Sequence, residues 1–288
     1  MKGAHVADGI ESDGAGNVFH GWRIVDLRTP KLARTPLAPH DPRAMEMPFD
    51  LQERLLAAMD AKDHWAWPSF TRPGLSREQL TIHFRHEYRV YVRDFPVLLS
   101  RVLGQGPPDD VRRALAENVY EEQTGALSLG VPHPELFLEM MDGLGIAREA
   151  VAGPAHALEP EAVAYRALLD RRSAEAPWVV GAAVMTIFVE GSVHERADLA
   201  GGRVLPPIDE MIARHPMVAF YGCPPEKLRL PRAHRAVEGG HRRDAWQMVL
   251  GHVDAAAAPA VAKAVDEALA AWLAYRDGVA RAMGLRRS

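Results

Sequence analysis

The sequence is poor in the features that indicate a disulfide-bonded or membrane-embedded protein. Its 288 residues include one cysteine, Cys223, which excludes an internal disulfide framework and favours a reducing compartment. The longest apolar run, residues 178–189, is 12 residues long, whereas a membrane-spanning helix needs about 20. The N-terminal stretch is polar and has no apolar signal core. We therefore expect a cytoplasmic protein without a membrane segment.

An excess of charge of either sign is also missing. The formal net charge is −4, which gives no electrostatic reason to expect nucleic acid or an anionic membrane as a partner. The hydrophobic fraction of 48% and the charged fraction of 25% are those of an ordinary globular protein with a substantial core. The expected partners are therefore small molecules or proteins, and a homodimer is the default expectation for assembly.

Strand patterns, internal repeats and nucleotide-binding motifs are absent from the sequence as well. The apolar spacing is helical instead. Ser76 and Gln79 form a capping-box pattern at the start of a helix that we expect to reach Gly104, with a bend near Pro96. The pattern predicts an all-α fold, a single bundle of about seven to eight helices.

Domain organisation follows from a change in composition. Residues 1–48 are rich in glycine, proline and aspartate, which predicts an irregular N-terminal arm. Residues 49–288 are predicted to form the helical bundle domain, with any metal site lying between its helices.

The stretch HRAVEGGH, residues 234–241, has the spacing of metal ligands. On one helix His234, Glu238 and His241 share a face. They span about 10 Å along the axis at ~1.5 Å per residue, so two ions fit them better than one. A solvated helical face is the alternative. Gly239 and Gly240 indicate either a π-bulge at a functional site or a plain turn between two shorter helices.

Two further segments contain candidate ligands. Glu190 ends the apolar run, where a buried carboxylate must be paired, protonated or bound to a metal, and pairing with an arginine is the commoner case. Glu122 lies four residues after Asn118 on the same helical face, and His133 precedes the next helix. Taken singly, Glu122 is more often a surface charge and His133 a capping or packing residue.

The ordered set of these motifs resembles the heme-oxygenase-like diiron oxidases and oxygenases, which share a helical fold with thiaminase-II and pyrroloquinoline-quinone synthase. The likeness covers roughly residues 50–250 and consists of N-x3-E, a later histidine, a buried glutamate and H-x3-[DE]-x2-H. The resemblance implies a heme-oxygenase-like fold and six metal ligands: Glu122, His133, Glu190, His234, Glu238 and His241.

The resemblance also implies how the ligands divide between two metals. Glu122, His234 and Glu238 would hold one ion, and His133, Glu190 and His241 would hold the other. Glu121 remains a rival to Glu122. Three carboxylates and three imidazoles suit Fe(II), two ions per chain, with iron or manganese as the second ion.

The expected activity is that of an iron- and O2-dependent oxidase or oxygenase. Its substrate would be a small amine- or carboxylate-bearing metabolite, changed by N-oxygenation, desaturation or oxidative C–C cleavage. The apolar segment 178–189 would line the pocket together with Tyr88, Tyr91 and Phe95. Arg85, Arg89 or Arg93 would anchor a substrate carboxylate, although such arginines are more often simply solvated.

Two other hypotheses remain open. One is a cofactor-free enzyme of the same fold, similar to thiaminase-II or quinone synthase, which would use acid and base residues in the same cavity. The other is a non-enzymatic helical interaction protein whose N-terminal arm binds a partner. The fold alone does not choose between them.

Overall fold

A computed structural model describes residues 50–200 and 206–287, with the backbone but not the side chains of residues 237–242. The predicted arm, residues 1–48, lies outside the described residues. Within the described part, secondary structure is helical and strands are absent. The α-helices are α1 (Leu51–Asp60), α2 (Trp67–Phe70), α3 (Arg77–Glu87), α4 (Phe95–Leu103), α5 (Asp109–Thr124), α6 (His133–Gly143), α7 (Arg148–Ala152), α8 (Pro160–Ala174), α9 (Trp178–Ala182), α10 (Glu195–Leu199), α11 (Ile208–Arg214), α12 (Pro216–Ala219), α13 (Leu230–Leu250) and α14 (Ala258–Ala282).

Helix length separates the bundle from its connections. Over the residues that the structure describes, eight α-helices have nine or more residues, and the others have four to seven. The predicted all-α bundle of about seven to eight helices is therefore confirmed, and the additional helices are short pieces within the connections. No described helix combines the length and the hydropathy needed to cross a bilayer.

The helix that starts at Arg77 begins as predicted but ends earlier. The Gln79 amide donates to Ser76 Oγ over 3.1 Å, and the Ser76 amide donates to Gln79 Oε1 over 2.8 Å, so the capping box is present. After α3 the chain continues as a π-helical segment, Tyr88–Val92, and α4 starts anew at Phe95. The interruption predicted near Pro96 is present, but as a break between two helices rather than a bend within one. α4 starts at Phe95 and places this proline in its first turn, where the missing N–H costs nothing.

The apolar run predicted from the sequence forms the centre of the main core. It consists of α9 and a π-helical segment, Ala183–Val189, whose residues are buried up to Phe188. The Glu190 amide donates to the Met185 carbonyl over 3.4 Å, the i→i+5 pattern of a π-helix. α14 packs on this segment, on α1 and on α8. A helix that is apolar on all sides is stable only when neighbours cover every face, as they do here.

α13 is one continuous helix that includes Gly239 and Gly240. The alternative of a turn between two shorter helices is therefore wrong. α13 packs against α5, α6 and the π-helical segment 183–189. Each of these three elements contains or directly precedes a ligand that the sequence predicts, so the fold brings the ligand-bearing elements together.

Candidate metal centre

Three of the predicted ligands form a cluster between helices. Glu122 on α5, His133 at the start of α6 and His234 on α13 each offer one ligand atom, and these atoms lie within 4.8 Å of one another. The imidazole rings of His133 and His234 are 5.1 Å apart between centroids. Three donor atoms at this separation can reach one metal ion, because metal–ligand bonds are about 2.0–2.2 Å long.

A tight loop returns His133 to the end of α5. Gly125 ends α5 in the left-handed conformation, with φ of 63°, and its amide donates to the Glu121 carbonyl over 2.6 Å. A Cβ at this position would collide with the backbone of Val131. The loop therefore requires a glycine both for its backbone angle and for its close approach to itself.

Glu121 holds this loop and the ring of His133. Its side chain is 1% exposed and accepts hydrogen bonds from the Leu127 amide, over 2.7 Å, and from the Ser128 hydroxyl. The third contact joins Glu121 Oε1 to His133 Nε2 over 3.0 Å. A carboxylate in this position fixes the orientation of an imidazole and leaves the other ring nitrogen for a metal.

The other ring nitrogen of His133 faces Glu122. His133 Nδ1 is buried and makes no hydrogen bond, although Glu122 Oε1 lies 2.9 Å away. The two atoms are close enough for an ion pair but lack hydrogen-bond geometry, and a cation bound between Nδ1 and the carboxylate oxygen would satisfy both. The residues present therefore fit a metal ion, with Glu122 rather than Glu121 as the available oxygen donor.

Burial and charge act in opposite directions on His133. Burial disfavours its protonated form, but the carboxylates of Glu122 and Glu121 outweigh this effect and raise the pKa of the imidazole above its usual value. The site is thus electrostatically suited to a positive charge, which a metal ion supplies in place of the proton.

Glu190 lies at the end of the second π-helical segment and contacts α5. Its Oε1 accepts from the amide nitrogen of Asn118 over 2.8 Å. Both residues line a small cavity with Thr186 and Asp244. The motif residue Asn118 is therefore placed to orient Glu190, four residues before Glu122 on the same helix.

The positions of the remaining predicted residues differ from one another. Glu238 and His241 belong to α13, but their side chains lie outside the described residues. The described side chains group His133 with Glu122 and His234, whereas the resemblance implied that His133 binds the other ion.

The arginines considered as substrate anchors contact other groups. Arg85 Nε donates to the Ala150 carbonyl over 2.8 Å and Arg89 to the His156 carbonyl over 2.6 Å. Arg93 forms a two-pronged contact with its neighbour Asp94. An arginine that the sequence did not single out, Arg276 on α14, lines a cavity of the bundle with Trp67 and Trp272. Sequence reasoning missed Arg276 because it lies in an alanine-rich helix whose apolar spacing indicates helix packing and no binding site.

A helical bundle with carboxylates and imidazoles converging between its helices is an architecture of metal-dependent helical proteins. Residues 82–276 match the family of iron-containing redox enzymes, and the chain belongs to this family. No curated protein matches the sequence.

A solved structure supports the fold independently of the family match. The chain is similar to the crystal structure of a TenA homolog from Pseudomonas syringae, with a TM-score of 0.59 and 14% sequence identity. The match covers 81% of this chain and 93% of that chain. At this identity the likeness shows the fold, which is the all-α, heme-oxygenase-like bundle.

Proposed function

We propose that this protein is a non-heme iron enzyme that activates dioxygen to oxidise a small metabolite, with two iron ions per chain. The observation that carries the proposal is the cluster of Glu122, His133 and His234 in a chain of an iron-containing redox family, with the buried Nδ1 of His133 2.9 Å from the Glu122 carboxylate. Glu190, Glu238 and His241 would complete the ligand set of the two ions.

The chemistry of the donors supports iron. Carboxylate and imidazole ligands suit Fe(II) or Mn(II) better than a closed structural zinc site, which commonly uses thiolates. When bound, iron at such a site supplies the electrons that reduce dioxygen.

The chain's own residues orient the ligands and exclude water. Glu121 holds His133 in one ring orientation, and Asn118 holds one oxygen of Glu190. The buried π-helical segment Ala183–Val189 packs on α13, the helix of His234, with apolar side chains, and such a dry surrounding would keep water from reactive species.

The likeness to the TenA homolog is compatible with a second candidate function, a cofactor-free enzyme of the same fold. A thiol nucleophile receives no support from this chain. Cys223 is its one cysteine, and the residue is buried within a core cluster of α3, α6 and their neighbours. Burial raises the pKa of its thiol to about 11, so the reactive thiolate is scarce at neutral pH.

The test is iron content per chain after anaerobic loading with Fe(II) and desalting, followed by optical spectra on exposure to oxygen. We expect close to two irons per wild-type chain, and loss of iron in His133→Gln and in Glu238→Gln. His252→Gln is the matched control, because His252 contacts Asp110 at the opposite end of α5.

Each result has a defined meaning. Iron loss in both ligand variants, with retention in His252→Gln, supports the iron centre. Absence of iron from the wild type, with oxygen not consumed, would overturn the proposal in favour of the cofactor-free enzyme or the interaction protein.

A further inference from the structure

A second cavity lies beside the segment that carries Glu190. Its volume is about 310 Å³, within the range of small-molecule sites, ~300–1,000 Å³. Val189 and Gly191, the two neighbours of Glu190, form part of its wall. Four aromatic side chains line it, together with Asp63, Ser192 and Val193, and the residues used below are Lys62, Trp67, Tyr165, Trp272 and Arg276.

Arg276 presents unsatisfied donors at this cavity. The residue is 6% exposed, and its guanidinium lies 4.6 Å from the ring centroid of Trp67 and 5.1 Å from that of Trp272. Nη1 donates to Glu87, whereas Nε is buried without a hydrogen-bond partner. Nη2 likewise contacts no acceptor among the described residues. A guanidinium offers five N–H donors in a planar fork, so most of this fork is unused.

Tyr165 offers a second unused donor. The residue is 1% exposed, and its ring stacks on Tyr275 at 5.4 Å between centroids with an interplanar angle of 14°. Its hydroxyl has no hydrogen-bond partner in the described part of the chain. Packing on Tyr275 fixes the ring, so the hydroxyl position is set by the core and needs no ligand to order it.

Lys62 adds positive charge at the same cavity. Its ammonium group donates to the carbonyls of Phe188, Val189 and Gly191, at distances from 2.5 to 3.2 Å. These carbonyls belong to the end of the π-helical segment, where the backbone dipole favours a cation. Lys62 is therefore held in place by the fold.

The acceptor nearest to Arg276 is already occupied. The Glu87 carboxylate accepts from Tyr91, from Tyr275 over 2.6 Å and from Arg276. Arg276 and Tyr165 thus present donors without acceptors beside four aromatic side chains. The Asp63 carboxylate, which also lines the wall, accepts from the amide of His64. A ligand that satisfies the unpaired donors must supply acceptor oxygens at one end and apolar surface elsewhere.

From this arrangement we infer that the cavity binds a small organic carboxylate with an apolar or aromatic body, the carboxylate lying against Arg276 and Tyr165. Binding of the carboxylate does not require iron or dioxygen. The further statement that this ligand is the substrate rests on the proposed function. The adjacency of Val189 and Gly191 to Glu190 would place such a molecule next to the candidate metal centre.

Isothermal titration calorimetry with phenylacetate and its neutral analogue phenylacetamide tests the inference, on full-length protein both with EDTA and after anaerobic iron loading. We expect phenylacetate to bind at least about tenfold more tightly than the amide, because charge-assisted bonds to arginine are the stronger ones. Tyr165→Phe and Arg276→Lys should each weaken phenylacetate about tenfold, and circular dichroism verifies their fold.

Two surface variants serve as controls. Tyr120→Phe removes an exposed hydroxyl, and Lys263→Gln removes an exposed charge on α14; both should bind as the wild type does. Three outcomes would overturn the inference: equal affinity for the acid and the amide, unchanged affinity in Tyr165→Phe, or no binding of phenylacetate or octanoate at millimolar concentration.

If Arg276→Lys does not fold, the result for Tyr165→Phe decides. Carboxylate binding by a chain that never takes up iron would overturn the proposed function and leave this inference standing.

Discussion

At the scale of single residues, the adjacent glutamates Glu121 and Glu122 have different roles: one orients a histidine and the other faces the candidate metal position. Adjacent helical residues point about 100° apart, so Glu121 faces the loop after α5 and Glu122 faces His234. The sequence could nominate this pair but not choose between its members, because the choice depends on the return path of the loop. In the structure Glu121 is engaged by Ser128 and His133, so Glu122 is left as the candidate ligand.

The two glutamates should therefore respond differently to the same change. We expect Glu122→Gln to abolish stable iron binding, because a metal-facing oxygen is replaced by an amide. Glu121→Gln should keep iron but weaken its affinity about 10- to 100-fold, the usual effect of losing a carboxylate behind a ligand histidine. Iron titrations measure both, and Glu175→Gln on the surface is the control. Equal iron loss in the two variants would contradict the assignment.

His83 gives a pH-dependent prediction. Burial among Trp67, Phe70 and Phe84 lowers the pKa of its imidazole to about 4 from an ordinary 6.5. The unfolded chain therefore binds the proton more readily, so stability is complete above pH 6.5 and falls as the pH decreases toward 4.

We expect His83→Phe to keep an aromatic ring and to flatten this dependence. The wild type should lose up to about 3 kcal/mol of unfolding free energy from this residue across the interval. Urea denaturation at pH 7, 5.5 and 4.5 measures it, with His156→Gln on the surface as the control. An unchanged pH slope in His83→Phe would refute the prediction.

Among the elements, the loop between α5 and α6 is the one on which the metal centre most depends. It is short, it leads directly into His133 at the start of α6, and it contains two glycines with left-handed backbone, Gly125 and Gly130. They differ in surroundings, because a Cβ on Gly125 would meet the backbone of Val131, whereas a Cβ on Gly130 would meet nothing.

These glycines form a matched pair for mutation. Both Gly125→Ala and Gly130→Ala incur the cost of a left-handed alanine, about 1 kcal/mol. Only Gly125→Ala must also shift the Val131 backbone, so we expect it to lose at least about 2 kcal/mol more and to lower iron affinity. Thermal unfolding and iron titration measure the two effects. Similar behaviour of the two variants would show that the loop tolerates displacement.

Elements differed in how well the sequence predicted them. Capping at Ser76 and the long α14 follow from local patterns, and the structure confirms them. The π-helical segments at Tyr88–Val92 and Ala183–Val189 could not be predicted, since the extra residue in a π turn has no compositional signal. Gly239 and Gly240 suggested an interruption, but packing of α13 against three neighbours keeps it helical.

For the molecule as a whole, one buried ion pair joins the beginning of the bundle to its end. Glu87 on α3 meets Arg276 on α14, with the hydroxyls of Tyr91 and Tyr275 on the same carboxylate. Arg276 and its hydrogen bond lower the pKa of Glu87 to about 2 even though burial opposes ionisation. A pair so placed is costly to break on one side.

We expect Arg276→Met to lower the free energy of unfolding by about 3–5 kcal/mol, because it leaves the Glu87 carboxylate buried without a counter-charge. The double variant Glu87→Leu with Arg276→Met should be less destabilised than the sum of the single variants. Urea denaturation at pH 7 measures all three. Arg54→Met, in an exposed pair that also reaches α14, should cost about 1 kcal/mol or less; a comparable loss there would contradict the role of burial.

The fold as a whole was predictable because it rests on repeated local signals, the helical spacing of apolar residues and the order of the ligand motifs. The carboxylate-binding cavity was not, since its walls combine residues as distant as Trp67, Tyr165 and Arg276. None of these three residues lies in a sequence motif that would indicate a binding site. Such a site exists only once the helices have packed.

The π-helical segment Ala183–Val189 also constrains how this protein can change in evolution. Every i→i+5 bond encloses one residue more than an α-helical bond, so gaining or losing one residue here would rotate everything that follows by about 100°. Glu190 would then turn away from Asn118, and the carbonyls held by Lys62 would move as well. Relatives that keep the metal centre should therefore show substitutions but no single-residue insertions or deletions between these positions.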